Sequence, residues 1–214
     1  MDTRHRARLV IADDHTLVAE TLRRLLEPEF DIVAVVNNGR ALLEVGAELK
    51  PDVALVDIAM PRLNGLDASE ELKRLVPFTK IVILTMSLDA QLAAEAFRRG
   101  ASAYVVKNAA VEELLTAIRE VLKGQSFLSP LITEDTVHVL LRNGNRSDSD
   151  KRITARQREV LQLVAEGMSM KEIANALNVK PGTVAFHKYR AMESLGLKTN
   201  SDLLRYAIAH HMIS

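Results

Sequence analysis

The apolar positions of the first half fall into short runs that alternate with helical stripes. Leu9-Val10-Ile11-Ala12, Ile32 to Val36, Val53 to Val56, Ile81-Val82-Ile83-Leu84 and Ala103 to Val106 are nearly free of polar breaks. Runs of this length suit strands buried on both faces of a parallel sheet. Between them lie His15 to Leu26, Arg40 to Leu49, Leu66 to Val76, Ala90 to Arg99 and Val111 to Lys123. These carry apolar residues at helical spacing, as in Leu17, Val18, Leu22, Leu25 and Leu26. Gly100 and Gly124 stand where a helix end favours a left-handed residue. Strands each followed by a helix predict a (βα)5 unit with helices on both faces, because parallel strands need right-handed crossovers.

After Gly124 the rhythm breaks. Ser129-Pro130 pairs an N-cap with a first-turn proline and predicts a helix to about Leu141. Residues 143–150 hold no apolar side chain and read as a linker. From Thr154 onward every pattern is helical. Thr154 with Gln157 and Ser169 with Glu172 are capping boxes for helices ending near Glu166 and Leu177. Pro181 opens a third helix to Leu195, and Ser201 a fourth to about His211. The expected organisation is an α/β domain over 8–124, a linker over 125–150 and a small all-α domain over 151–214.

Composition narrows the classes. Of 214 residues, 48% are hydrophobic and 26% charged, which fits folded, soluble domains. The absence of cysteine excludes disulfides and thiolate metal sites. No apolar stretch approaches the ~18–20 residues of a membrane span. Asp13 and Asp14 interrupt the first apolar run too soon for a signal-peptide core. The expected location is therefore cytoplasmic. The net charge of zero hides an asymmetry: residues 1–150 carry 18 Lys+Arg against 23 Asp+Glu, residues 151–214 carry 10 against 5. A basic carboxyl-terminal block on an acidic body points to a nucleic-acid-binding module.

The candidate chemistry sits at the strand ends. Val53 to Val56 runs into Asp57, and Met60-Pro61 then stops regular structure. Open α/β sheets bind ligands outside the carboxyl ends of their strands. Asp13, Asp14, Thr85 and Lys107 occupy the same place on other strands. Clustered carboxylates repel unless a hard cation shares them, and Mg²⁺ takes such oxygen ligands. Asp57 is then an oxygen nucleophile for a phosphoryl group. Lys107 neutralises a phosphoryl oxygen and Thr85 donates a hydrogen bond to another. Each residue has a bland alternative: Asp14 as a helix cap, Asp57 as a turn residue, Thr85 as a β-branched strand residue, Lys107 as a solvated strand end. Their joint placement on successive βα units favours the chemical reading.

Residues 8–124 resemble the receiver domain of two-component response regulators. The resemblance rests on Asp13-Asp14, on Asp57 with Met60-Pro61 and Gly65, on Thr85 after its apolar run, and on Lys107 after Tyr104-Val105-Val106. It implies a doubly wound, flavodoxin-like sheet in strand order 2-1-3-4-5. It also implies phosphorylation of Asp57 by a sensor histidine kinase. Asp14, Asp57 and the Ala59 carbonyl would ligate Mg²⁺ directly and Asp13 through water. Tyr104 falls at the switch aromatic, whose inward rotation accompanies engagement of the phosphoryl group by Thr85. Asn108 replaces an often acidic residue that takes no part in the chemistry.

Residues 154–214 resemble the LuxR-type helix-turn-helix through the run Thr154 to Leu161, Glu166-Gly167, Lys171-Glu172-Ile173-Ala174, Val179, Thr183-Val184 and His187. A short helix joined to one opening at Pro181 has the proportions of such a motif, with the second helix entering the major groove. Thr183, Phe186, Lys188, Tyr189 and Arg190 are expected outward. Lys171, Thr183, Lys188 and Arg190 suit phosphate contacts. Ala185, Phe186 and Tyr189 fall where relatives read bases, and Val184 and His187 complete the segment. Ala185 stands where several relatives carry lysine, leaving an apolar contact such as a thymine methyl. Packing is the competing reading for Phe186 and Tyr189, and His187 has no second ligand spaced for a metal.

Together the two resemblances are those of NarL/FixJ-type response regulators. They imply a transcriptional regulator, homodimeric when phosphorylated, acting on paired sites in double-stranded DNA. The last helix would supply the dimer contact, and the unphosphorylated receiver would cover or misplace the recognition helix. Two other classes were weighed. A haloacid-dehalogenase-like phosphatase needs a second aspartate two residues after the nucleophile, where Ala59 stands. A DNA-binding protein with an inert receiver scaffold would not need the intact acidic pocket.

Overall fold

The strand that ends in Asp57, β3 (Val53–Asp57), is buried at every position, as a strand covered on both faces must be. It pairs in parallel with β1 (Arg8–Ala12) and β4 (Lys80–Thr85), Val53 lying opposite Leu9 and Lys80. β2 (Asp31–Val36), β5 (Ala103–Val106) and β6 (Phe127–Leu128) extend the sheet in the order β2-β1-β3-β4-β5-β6. The first five strands follow the expected order. The sixth is an addition, two residues that no periodicity reveals. Its parallel pairing of Phe127 with Ala103 and of Leu128 with Tyr104 defines it. The structure, a computed structural model, describes residues 6–108, 111–132 and 153–213. Pro130–Ile132 forms a short 3-10 turn. The expected helix beyond it and the expected linker 143–150 lie outside the described residues.

Successive strand residues feed opposite faces. Val10, Val56 and Ile83 pack with Leu42, Leu72 and Ala93 of α2 (Gly39–Leu49), α3 (Gly65–Leu75) and α4 (Ala90–Arg98). Leu9, Leu55 and Val82 pack with Leu26 and Ile118 of α1 (Thr16–Leu26) and α5 (Val111–Leu122). Each such side chain contributes roughly 1.5–3 kcal/mol on burial. This two-sided core fixes where the strand ends lie.

The second domain consists of α6 (Ala155–Ala165), α7 (Met170–Ala176), α8 (Pro181–Leu195) and α9 (Asn200–Ala209). The boxes Thr154–Gln157 and Ser169–Glu172 form as expected. α9 begins slightly earlier than expected, because Thr199 and Asp202 make a full capping box and take Ser201 into the helix. Leu161 of α6 meets Ala191, Met192, Leu203 and Ala207. Val160 and Leu163 meet Ile173, Ala174 and Val184.

A third face of α6 lies on the receiver. Arg40 Nε donates to Glu159 Oε1 at 2.6 Å, and Arg158 Nη1 to Asp67 Oδ1 at 2.9 Å. Gln162 and Glu166 reach the segment between β3 and α3. On the described residues, therefore, the receiver contacts α6, while Phe186 and Tyr189 of α8 stay 61% and 63% exposed. Of the expectation that the receiver covers or misplaces the recognition helix, covering is not what this arrangement shows.

Gly65 opens α3 immediately beneath the end of β3. A Cβ on it would lie 1.9 Å from the Asp57 carbonyl oxygen, a backbone atom that cannot turn away. Gly65→Ala is expected to lower stability by about 1–3 kcal/mol through this overpacking. Urea unfolding should show it as a lower midpoint with an unchanged slope.

Candidate functional site

The carboxyl ends of β1, β3, β4 and β5 come together because the sheet is parallel and its central strands are in register. Asp13 and Asp57 are 2% and 5% exposed. Lys107, just past β5, reaches back between them. Its Nζ lies 2.7 Å from Asp13 Oδ2 and 2.9 Å from Asp57 Oδ2. Asp13 Oδ1 accepts the His15 N–H at 2.9 Å, so Asp13 rather than Asp14 serves the start of α1. Asp14 is left to face the pocket. Its Oδ1 is buried without a hydrogen-bond partner, and His15 Nδ1 lies 2.9 Å from it. Asp13, Asp14, His15 and Asp57 each offer a ligand atom within 4.8 Å of the others. An orphaned buried carboxylate oxygen among three acidic groups fits a hard divalent cation.

The electrostatics follow from this crowding. Burial, with Asp13 close by, pushes the Asp57 carboxyl above its ordinary pKa, against the pull of Lys107 and of the Ala59 N–H. Burial alone would lower the Lys107 ammonium. The hydrogen bonds to Asp13 and Asp57 outweigh it and raise the group above the usual lysine value. Lys107 therefore stays charged beside the two carboxylates.

Beyond this cluster, Thr85 Oγ1 accepts the Ser87 N–H at 3.2 Å and Tyr104 Oη donates to the Ser87 carbonyl at 3.1 Å. Tyr104 is fully buried, the inward position, and burial raises its hydroxyl well above the usual tyrosine value. Ser87 thus spans the threonine and the aromatic. Sequence reasoning passed over it because both of its contacts are made by backbone groups, which any residue carries.

The second domain sorts the expected DNA-facing residues by helical phase. Lys171, Thr183, Phe186, Tyr189 and Arg190 are exposed, while Ala185 and His187 are half-buried. Two expectations are corrected. Val184 is fully buried in the core against α6 and α7. Lys188, one turn later on the same inward face, is 7% exposed and donates from Nζ to Asn200 Oδ1 at 2.8 Å. Residues four apart share a helix face, so the phase that buries Val184 buries Lys188. α9 splits likewise: Leu203 and Ala207 are core, and Leu204 and Ile208 are 42% and 53% exposed.

A cluster of this kind at the carboxyl edge of a doubly wound sheet, in one chain with a helix-turn-helix, places the protein in the class of receiver-type regulators with a DNA-binding output. Comparison with known proteins agrees. Residues 9–119 match the response regulator receiver domain, and residues 151–207 match the bacterial regulatory proteins of the luxR family. Oxygen regulatory protein NreC of Staphylococcus aureus is 37% identical over 96% of this chain and 99% of its own length. A LuxR-family two-component response regulator from Aurantimonas sp. superimposes with a TM-score of 0.61 at 31% identity, over 64% of this chain and 99% of that one. RcsB of Salmonella enterica serovar Typhimurium, solved bound to a promoter in the presence of a phosphomimetic, does so with a TM-score of 0.57 at 29% identity, over 94% and 97%.

The chain belongs to the two-component response regulators that join a receiver to a LuxR-type DNA-binding domain. That family comprises transcriptional regulators, not enzymes. Its receivers bind Mg²⁺ at acidic residues, and an acidic cluster is present here. No described helix is long and apolar enough to cross a membrane.

Removing one partner from a buried charge cluster leaves the others uncompensated. Lys107→Met is expected to lower stability by about 3 kcal/mol at neutral pH, as measured by urea unfolding of the full chain without divalent cations.

Proposed function

We propose that Asp57 is the phosphoacceptor of a transcriptional switch and that a sensor histidine kinase is its donor. The observation that carries this reading is the Lys107 ammonium held between Asp13 and Asp57, beside the orphaned Asp14 oxygen. Asp13, Asp14, Asp57 and the Ala59 carbonyl are the residues that would hold Mg²⁺. When bound, that ion shields the attacking carboxylate from the phosphoryl oxygens.

The chain's own groups do the rest. A carboxylate oxygen of Asp57 attacks phosphorus, forming an O–P bond as the donor's N–P bond breaks and its imidazole leaves. Lys107 turns from the carboxylates toward a phosphoryl oxygen. Thr85 releases the Ser87 N–H and donates its hydroxyl to another. Ser87 is shared with Tyr104, so this exchange reaches the α4 face and biases a two-state element there.

The output reading assigns residues 8–124 to the receiver, 125–150 to the connection and 151–214 to the DNA-binding domain, in a cytoplasmic protein. Lys171, Thr183 and Arg190 contact phosphates. Ala185, Phe186 and Tyr189 face base edges, with His187 beside them. Leu204 and Ile208 of α9 supply the contact between two copies on paired half-sites.

Incubation with acetyl phosphate and Mg²⁺, followed by intact-mass analysis, is expected to show one phosphoryl group on the wild type and none on Asp57→Asn. Persistent labelling of that variant would remove Asp57 from its role. On DNA, Tyr189→Ala is expected to cost about 1–3 kcal/mol at a specific site. Lys171→Ala is expected to weaken binding to all sequences alike and to reduce the salt slope by about 1. Footprinting and salt titration of the phosphorylated protein read both effects.

A further inference from the structure

The segment between β3 and α3, residues 58–64, follows Asp57 directly and contains Ala59. Part of its backbone is satisfied internally: the Met60 N–H bonds to the Ile58 carbonyl at 3.0 Å, the Leu63 N–H to Pro61 at 2.9 Å, and the Gly65 N–H to Ile58 at 2.9 Å. The Met60 carbonyl and the Arg62 and Asn64 N–H groups find their partners in the other domain. Gln162 of α6, fully buried, donates from Nε2 to the Met60 carbonyl at 3.0 Å and accepts the Asn64 N–H through Oε1 at 2.9 Å. Glu166 Oε1 accepts the Arg62 N–H at 3.1 Å. Gln162 Nε2 also donates to that same oxygen at 2.8 Å, so the two side chains form one clamp.

The clamp holds a conformation that the segment would not choose alone. Arg62 has a φ of 69°, in the left-handed region, which costs a non-glycine residue about 1 kcal/mol or more. Other contacts between the domains, such as Arg40 with Glu159, Arg158 with Asp67 and His211 with Asp89, join side chains and leave this backbone untouched. With the clamp closed, the ligand atoms of Asp13, Asp14 and Asp57 already converge. The clamped segment is therefore compatible with an assembled cation site.

We propose that Gln162 and Glu166, residues of the DNA-binding domain, are positioning residues for the receiver's phosphorylation site. They preorganise the segment carrying Ala59 and so raise the affinity of the acidic cluster for Mg²⁺. The proposal rests on the phosphoacceptor reading above. By linkage, Mg²⁺ binding strengthens the docking of α6 by the same factor. The DNA-binding domain is thus a part of the input site as well as its output.

The test uses the full chain without phosphodonor. Mg²⁺ affinity is read by calorimetric titration, and protection of the Arg62 and Asn64 amides by hydrogen exchange. Gln162→Met keeps the buried volume and removes its hydrogen bonds to Met60, Asn64 and Glu166. Glu166→Ala changes an exposed position at the end of α6 and keeps the proposal testable if the first variant fails to fold. Each is expected to weaken Mg²⁺ binding roughly three- to tenfold, the scale of one lost hydrogen bond, with faster exchange at those amides. Glu166→Gln retains an acceptor for the Arg62 N–H and is expected to keep wild-type affinity, a rescue that a purely structural role would not predict. Unchanged or tighter Mg²⁺ binding in both disruptive variants overturns this proposal alone. A wild type that takes up no Mg²⁺, with Asp57→Asn indistinguishable from it, overturns the phosphoacceptor reading and this proposal together.

Discussion

The structure depends on how one lysine manages two buried carboxylates. At an effective dielectric constant of about 20, two like charges 4 Å apart repel by about 4 kcal/mol. Asp13 and Asp57 sit near the edge of a hydrophobic sheet, where water cannot dissipate that repulsion. Lys107 can be placed between them only if β1, β3 and β5 are parallel, ordered and in register, so the charge cluster and the sheet topology require one another. Asp14 has no lysine beside it: its Oδ1 is buried without a hydrogen bond, with His15 Nδ1 2.9 Å away. A site in this condition is poised to take up a cation and to exchange one anion–lysine contact for another.

Much of this was legible in the sequence, for an identifiable reason. Strands covered on both faces read as unbroken apolar runs, and a polar residue that ends such a run is marked by contrast. Asp57 after Val53 to Val56 and Thr85 after Ile81 to Leu84 both announce themselves in this way. Helix boundaries were legible where side chains cap them, as at Thr154 and Ser169. What stayed hidden is carried by backbone groups or by distant partners. β6 is too short to show a period. Ser87 acts through its N–H and carbonyl. Gln162 looks like an ordinary polar position in an amphipathic helix, and only the other domain explains its burial.

Helical phase accounts for the two misplaced residues on α8. A basic residue on a recognition helix invites a surface reading, yet Val184 fixes the inward face and Lys188 follows one turn later. The ammonium escapes the cost of burial by donating to Asn200 at the start of α9. That bond ties the recognition helix to the helix carrying Leu204 and Ile208. The exposed face of α8 and the exposed apolar face of α9 are thus held in fixed relation by a residue that lies on neither.

Many of the contacts between the domains are ones that water can replace. Arg40, Asp67, Arg158, Glu159, Gln162 and Glu166 meet through hydrogen bonds and ion pairs, whose net worth after exchange with water is about 1 kcal/mol each. Separation therefore exposes polar groups that water can satisfy. Three hydrogen bonds between Gln162 and residues 58–64 join α6 to the segment that follows Asp57. They fall on Met60 and Asn64, so α6 reaches the segment that carries Ala59 through its backbone groups.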